Sequence, residues 1–195
     1  MSIEQYPDWL RPPVGGYTAE DLDRLPDLPP HTELIDGSLI FVSPQTIFHM
    51  STLRVLEWAL VRAVPPGWAV WREMTIMLNR RNRLEPDLLV VDKRVNSGPR
   101  GRKGTSCQPE DVLLAVEVVS EESQERDRDT KPRKYAAAGI AHFWRVEDDD
   151  DGRPVVYVYE LDPATRAYGL TGIYHKQLKV DRPFPVEIDL TDASE

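Results

Sequence analysis

Apolar residues along this chain follow two spacings, one helical and one typical of buried strands. Apolar positions at helical spacing predict a long helix that opens at Ser43-Pro44 and stops at Pro65-Pro66-Gly67. The runs at residues 86–91 and 112–119 are short and rich in branched apolar residues, which is typical of strands buried on both faces of a sheet. The second run is the most apolar of the chain and is predicted to be a central strand.

Turn signals predict the elements around these strands. Asp36-Gly37 lies between two apolar segments of residues 33–42, which predicts a β-hairpin. Residues 68–71 and 74–78 are interpreted as one extended strand segment, and residues 79–84 as a turn.

A second helix is predicted from about Asp129 to a C-cap at Gly139, and further strands at residues 142–146 and 155–161. Helices that alternate with buried strands indicate an α/β or α+β fold with a mixed sheet at its centre. Residues 1–31 are expected to form an N-terminal arm, residues 32–162 the core, and residues 163–195 a C-terminal β-extension of the same domain. The Gly/Arg/Ser-rich segment at about 95–109 is a candidate substrate lid.

Length and composition indicate which classes of protein the chain can belong to. A chain of 195 residues is long enough for one domain with a substantial core. It has no apolar run of the roughly 18 to 20 residues that span a bilayer, and its N-terminus lacks the pattern of a secretory signal. Its one cysteine, Cys107, excludes an intrachain disulfide, so a cytoplasmic location is expected.

A local basic segment contrasts with the net charge of −9. Nucleic-acid-binding surfaces are usually basic, because contacts with phosphates release counterions. The segment from 79 to 104 supplies basic residues that are predicted to contact a phosphate backbone: Arg80, Arg81, Arg83, Arg100, Arg102 and Lys103. The alternative is that these residues belong to two solvated loops.

Two carboxylates stand in apolar surroundings. Asp87 begins the first buried strand, and Glu117 lies inside the second. A buried carboxylate requires a cation, an arginine or a proton. If the two strands are neighbours, both side chains can bind one Mg²⁺ or Mn²⁺ ion. The alternative for Glu117 is an internal salt bridge with Arg72 or Arg145.

The second helix places lysines downstream of Glu117. Lys131 and Tyr135 are four residues apart and share a helical face, whereas Lys134 points to a neighbouring face. A lysine near two metal-binding carboxylates would stabilise the charge that develops in phosphodiester hydrolysis. The alternative for the lysines is that they are solvated. Asp127 would then cap the helix or pair with an arginine, and Tyr135 and Trp144 would be core residues.

The order of these motifs resembles the Uma-type restriction endonuclease family of the PD-(D/E)XK nuclease superfamily. The similarity covers about residues 32–162 and rests on residues 33–37, Ser43-Pro44, His49, residues 86–91, residues 116–120, Asp127, Lys131, Tyr135, Gly139 and Phe143-Trp144. The resemblance implies a restriction-endonuclease-like core, a central mixed sheet flanked by helices, with metal binding at Asp87 and Glu117. Val119 occupies the superfamily's lysine position, which implies that Lys131 has taken over the role.

The leading hypothesis is a Mg²⁺- or Mn²⁺-dependent endonuclease that acts on nucleic acid, with DNA as the expected substrate. The metal ligands would be Asp87, Glu117 and the backbone carbonyl of Val118, and Lys131 would be catalytic. Glu33, His49 and Lys134 are accessory candidates. The alternative is a catalytically weak or inactive nuclease-fold module that binds nucleic acid or protein. A homodimer is expected, with exposed apolar residues of the terminal β region as its candidate interface.

Overall fold

The two predicted helices and the two long apolar strands follow one another along the chain in the order that the hydrophobic pattern predicts. The structure, a computed structural model, describes residues 11–97, 103–149 and 151–194. Within these ranges the strands and α-helices are β1 (Glu33–Ile35), β2 (Ser38–Ile40), α1 (Ile47–Ala63), β3 (Trp68–Arg72), β4 (Thr75–Asn79), β5 (Asn82–Leu84), β6 (Leu88–Asp92), β7 (Ser106–Cys107), β8 (Val112–Val118), α2 (Lys131–Ala138), β9 (His142–Asp148), β10 (Pro154–Asp162), β11 (Ala167–Tyr174), β12 (Gln177–Val180) and β13 (Val186–Asp189). None of the helices in these ranges has the length and hydropathy needed to cross a membrane.

A six-stranded sheet forms the centre of the molecule, with the strand order β11-β10-β9-β8-β6-β3. Strands β8 and β9 are parallel, and the other neighbouring pairs are antiparallel. The two apolar runs are β6 and β8, which are adjacent and place Leu88 opposite Val116. The predicted mixed sheet and the central position of residues 112–118 are therefore confirmed.

The two faces of this sheet carry separate apolar clusters. Alternate residues of a strand point to opposite faces, so Leu88 and Val90 join the cluster under α1 while Leu89 and Val91 join the cluster under α2. In β8, Val116 and Val118 belong to the α1 cluster. The same alternation directs Glu117 to the opposite face, toward α2.

A second sheet of five strands, in the order β2-β1-β5-β4-β7, corrects two predictions. Residues 68–78 are not one strand, because Glu73 has a positive φ of 53° that ends β3 before β4 begins. Strand β3 belongs to the large sheet and β4 to the second sheet. Residues 82–84, predicted as part of a turn, form β5 and pair with both β1 and β4.

The predicted hairpin and the end of the second helix are confirmed. Asp36 and Gly37 have φ values of 51° and 82°, the left-handed conformation that a two-residue hairpin turn requires between β1 and β2. Gly139, with φ 88°, ends α2. Helix α1 begins later than predicted, at Ile47, because Thr46 is its N-cap and accepts a hydrogen bond from the His49 N–H.

The C-terminal residues extend the large sheet and contribute to the apolar cluster under α1. Strand β11 pairs with β10 at one edge of the large sheet, and the β12–β13 hairpin supplies Leu178, Val186 and Ile188 to the cluster under α1. The predicted lid at 95–109 includes residues 98–102, which lie outside the described residues. Its residues 106–107 are not a loop but form β7, which pairs with β4.

Cys107 is expected to be chemically inert in the folded protein. Its side chain is buried in β7, and burial raises the pKa of the thiol to about 12, so little thiolate forms at pH 8. We expect a thiol-specific reagent to label the native protein at least about 100-fold more slowly than the urea-unfolded chain. Equal labelling rates in the two states would show that the thiol is accessible.

Candidate metal centre

Acidic side chains converge on a pocket of about 450 Å³. The pocket lies where β6 begins and β8 ends, on the side of the sheet that faces the first turn of α2. Among the described residues, six carboxylates line it: Glu33, Glu73, Glu85, Asp87, Glu117 and Asp127. The cationic or titratable nitrogen groups of its wall belong to Lys131, Arg126, His31 and His49.

Asp87 is held by two hydrogen-bonding partners from different elements. Its Oδ2 accepts a hydrogen bond from the Val118 N–H at 2.6 Å, at the end of β8. Its Oδ1 lies 2.9 Å from Nε2 of His49, which is buried in the first turn of α1. Pairing of β6 with β8 and the capped start of α1 thus determine where this carboxylate points.

Glu117 is bound by two residues of α2 that are one helical turn apart. Lys131 Nζ lies 3.1 Å from Oε2, and the Tyr135 hydroxyl donates to Oε1 at 2.6 Å. All three side chains are buried. The predicted shared face of Lys131 and Tyr135 is therefore the face that contacts Glu117.

Lys131 also contacts two carboxylates from elsewhere in the chain. Its Nζ lies 3.2 Å from Glu33 Oε1, in β1, and 3.2 Å from Asp127 Oδ1. Asp127 lies four residues earlier, in a π-helical turn at Arg126–Thr130 that leads into α2. Glu33 Oε1 additionally accepts a hydrogen bond from the Glu85 N–H at 2.7 Å. One buried ammonium group therefore connects three carboxylates.

Burial and mutual repulsion control ionisation in this cluster. Burial raises the pKa of Glu117 well above its usual value; Lys131 opposes that shift, and the neighbouring carboxylates add to it. Burial by itself would lower the pKa of Lys131, but Glu117, Glu33 and Asp127 raise it well above its usual value. Burial also raises the pKa of Tyr135, so its hydroxyl stays a donor. Negative charge exceeds positive charge at the site.

The donor set fits a hard divalent cation. Among the described residues, no three acidic, histidine or cysteine side chains are arranged as ligands of one metal ion. The ammonium group of Lys131 lies among the carboxylates. Three of these carboxylates, Glu33, Glu117 and Asp127, share the single ammonium group of Lys131. The buried Oε2 of Glu33 has no hydrogen-bond donor among the described residues. Unneutralised carboxylate oxygens are the ligands that Mg²⁺ and Mn²⁺ prefer.

The structure brings together six of the sequence-derived site residues in the pocket: Asp87, Glu117, Val118, Lys131, Glu33 and His49. It does not bring Lys134 to the pocket, because its Nζ binds Asp36 at 2.7 Å in the β1–β2 turn. The alternative for Glu117, a salt bridge with Arg72 or Arg145, is wrong, since Arg72 pairs with Glu57 and Arg145 with Glu147.

Two site residues were assigned other roles from the sequence. Tyr135 was predicted to be core and is buried, but its hydroxyl binds Glu117. Asp127 was predicted to cap the helix or to pair with an arginine, and it contacts Lys131 instead. Asp127, Lys131 and Tyr135 follow each other at intervals of four residues. That spacing, which places them on one side of continuous helical turns, was the available signal.

The basic segment does not line the acidic pocket in the described residues. Arg80 and Arg81 are exposed at the β4–β5 turn, and Arg81 donates to the backbone oxygens of Gly15 and Asp36. Arg83 is not available to a phosphate, because it is buried and binds Asp23, Thr75 and Thr105. Lys103 is exposed, and Arg100 and Arg102 lie outside the described residues.

Replacing Tyr135 with phenylalanine is expected to lower the free energy of unfolding by about 1.5–3 kcal/mol, the range for a hydrogen bond to a charged group. Tyr168→Phe is the control, because its hydroxyl donates to a neutral acceptor, the Ile140 carbonyl, at 2.8 Å. That change should cost only about 1 kcal/mol. Urea denaturation of both variants measures the difference. Equal losses in the free energy of unfolding would mean that the hydrogen bond from Tyr135 to Glu117 is no stronger than one to a neutral acceptor.

Comparisons with known proteins assign the chain to a family and show which structure its fold resembles. Residues 19–193 match the model of the Uma2 family, whose description is "Putative restriction endonuclease". The fold is similar to a crystal structure titled as that of "a putative nuclease belonging to DUF820 from Anabaena variabilis ATCC 29413", with a TM-score of 0.61 and 17% identity over 91% of each chain. At that identity the likeness shows the fold alone. No curated protein matches the chain.

Proposed function

Because the chain belongs to the Uma2 family, described as "Putative restriction endonuclease", we propose that it is a divalent-metal-dependent endonuclease that hydrolyses phosphodiester bonds in DNA. One observation carries the proposal. Asp87 and Glu117 reach the same pocket from adjacent strands, and Lys131 lies 3.1 Å from Glu117. Val119 occupies the superfamily's lysine position, and helix α2 thus supplies a lysine, Lys131, to Glu117 instead.

Asp87 and Glu117 would hold the cation, with the Val118 carbonyl as a third ligand. A bound Mg²⁺ or Mn²⁺ ion would polarise the phosphate and lower the pKa of the attacking water. His49 and the Val118 N–H orient Asp87, and Tyr135 orients Glu117. These contacts hold the two carboxylates in place before substrate arrives, so little reorganisation is needed.

Lys131 would neutralise and orient the carboxylates as well as contact substrate. Its ammonium donates a hydrogen bond to Glu117 and lies 3.2 Å from Glu33 and from Asp127, whose Oδ1 has no hydrogen-bond partner among the described residues. The ammonium would therefore have a hydrogen for a phosphate oxygen or for the attacking water while Glu117 stays in place. Lys131 lines the pocket and would there stabilise charge on the phosphorus centre.

The test is a cleavage screen on plasmid, linear duplex, single-stranded DNA and RNA, each with Mg²⁺ or Mn²⁺ and with EDTA. We expect cleavage that requires the cation and is lost in Asp87→Asn. Tight nucleic-acid binding without cleavage under every condition would support the alternative, a nuclease-fold module that does not cut. Cleavage of RNA alone would keep the metal site and change the substrate.

A further inference from the structure

His31 lines the acidic pocket, and the proposed metal site does not use it. Its side chain is 49% exposed, whereas Lys131 and Glu117 are buried in the same pocket. Among the four nitrogen-bearing side chains of the described wall, that of His31 is the most exposed. A substrate that enters from solvent would therefore meet this ring before it reaches the buried lysine.

Glu85 holds the imidazole ring of His31 by one of its two nitrogens. Nδ1 lies 2.5 Å from Glu85 Oε1, and the Glu85 side chain is only 13% exposed. The backbone N–H of Glu85 donates in turn to Glu33 Oε1 at 2.7 Å, which ties this pair to the acidic cluster. Nε2, the other ring nitrogen, makes no hydrogen bond within the described part of the chain. The ring is thus fixed on one side and available on the other.

The backbone at His31 has an uncommon conformation. Its φ is 59°, in the left-handed region that few residues other than glycine adopt. The hydroxyl of the next residue, Thr32, donates to the Pro29 carbonyl at 2.6 Å and closes the turn around His31. Glu73, also in the pocket wall, has a positive φ of 53°. Conformations of this kind concentrate at active sites and ligand-binding segments.

Nε2 carries a hydrogen in either charge state that favours this pair. If Glu85 is ionised, its hydrogen bond raises the pKa of His31, and the charges of Glu85, Glu73 and Asp87 add to that shift. The charged ring then has a hydrogen on both nitrogens. If Glu85 is protonated, which burial favours by raising its pKa, it donates to Nδ1 and the neutral ring keeps its hydrogen on Nε2. His31 therefore offers the pocket a hydrogen-bond donor.

A phosphodiester requires donors in this pocket, because the six carboxylates of the wall repel its negative charge. Lys131 supplies one donor among the buried carboxylates, and His31 supplies a second nearer to solvent. We infer that His31 is a substrate-binding residue whose Nε2 donates to an oxygen of the phosphodiester that enters the pocket, with Glu85 as the residue that positions the ring. This inference rests on the proposed endonuclease activity and adds a substrate contact to it.

Two substitutions separate the roles of the ring nitrogens. The side-chain amide of asparagine can replace Nδ1 toward Glu85, and asparagine accepts a positive φ, but it has no group at the position of Nε2. Glutamine is longer and can place its amide nitrogen near the position of Nε2. If His31 only fixes the local backbone, His31→Asn should bind and cut like the wild type. If Nε2 binds phosphate, His31→Asn should be impaired and His31→Gln should be the better of the two.

The measurements are the Kd of a short fluorescein-labelled DNA duplex in Ca²⁺, by anisotropy, and the KM and kcat of cleavage in Mg²⁺. We expect His31→Asn to bind about 10–100-fold more weakly, the loss that corresponds to one hydrogen bond to a charged group. KM should rise while kcat changes little, because the contact is made equally before and during reaction. The control, His175→Ala, removes an exposed histidine between β11 and β12 and should change none of these values.

Urea denaturation of His31→Asn should match the wild type, so a folding defect would not explain the loss. A wild-type Kd and KM in His31→Asn would overturn the inference and leave the endonuclease in place. Equal impairment of His31→Gln and His31→Asn would also overturn it, because the loss would not come from Nε2. DNA binding that depends on His31 in a protein that cuts with no cation would instead support the contact and remove the proposed activity.

Discussion

Replacing Lys131 with methionine is expected to lower the free energy of unfolding by about 3–5 kcal/mol in metal-free buffer, the cost of removing one partner from a buried ion pair. The lysine is the one cation within 3.2 Å of Glu33, Glu117 and Asp127 in the described structure. Without it, three buried carboxylates face one another. Methionine preserves the length of the apolar stem, so the loss reports mainly on charge.

Lys134→Met is the matched control for this change. Lys134 is on the same helix and also forms an ion pair, but its partner Asp36 has a side chain that is 70% exposed. Such a pair contributes only about 1 kcal/mol or less. Urea denaturation of both variants provides the comparison. If Lys131→Met costs no more than Lys134→Met, the ammonium does not hold the cluster together.

Added Mg²⁺ should partly restore the stability of Lys131→Met. A ligand that binds only the folded state stabilises it by about 2.7 kcal/mol at a concentration 100-fold above its Kd. The variant pocket is more negative than the wild-type pocket, so it should bind the cation more tightly. The double variant with Asp87→Asn should lose this recovery, because one proposed ligand is absent. Recovery that survives Asp87→Asn would place the stabilising ion elsewhere.

Replacing Glu117 with glutamine is expected to have opposite effects on stability and activity. The change removes one charge from a crowded acidic cluster, so the free energy of unfolding should stay the same or rise by about 1 kcal/mol. Glutamine still offers an oxygen to the Tyr135 hydroxyl. Loss of the carboxylate from the proposed metal site should reduce cleavage by about 100-fold or more, equivalent to about 2.7 kcal/mol or more of transition-state stabilisation.

The control for Glu117→Gln is Glu57→Gln, which removes a carboxylate outside the pocket that pairs with Arg72. It should leave cleavage unchanged. Denaturation and cleavage assays on the two variants separate a functional loss from a folding defect. A Glu117→Gln protein that cuts at the wild-type rate would remove Glu117 from the proposed metal ligands. One that unfolds as readily as Lys131→Met would mean that its charge stabilises the fold.

The hydrophobic pattern predicts the centre of the fold better than its edges. Apart from one carboxylate each, residues 86–91 and 112–119 are apolar on both faces, a pattern typical of a strand covered on both sides. The short strands β5 and β7 have no such pattern, because pairing with neighbours rather than burial of a long apolar run defines them. The break at Glu73 depends on a single backbone conformation, and the surrounding residues are all compatible with a continuous strand.

The candidate site is predictable where a residue departs from the apolar pattern of its own strand or shares a helical face with another site residue. Asp87 and Glu117 stand out because carboxylates interrupt apolar strands, and Lys131 and Tyr135 share a helical face. The contact between Glu33 and Lys131 joins residues 98 positions apart, so it follows from packing of β1 near α2 and not from local spacing. Burial of Arg83 likewise depends on tertiary partners, Asp23 and Thr105 among them, that a count of basic residues does not reveal.

The central claim is that Asp87 and Glu117 bind one divalent cation, and isothermal calorimetry with Mn²⁺ and Mg²⁺ tests it most directly. We predict that the wild type binds one ion per chain and that Asp87→Asn and Glu117→Gln each weaken binding by at least about 10-fold, with circular dichroism unchanged. The claim would be contradicted if the folded wild type bound neither ion, or if both variants bound the ion as tightly as the wild type.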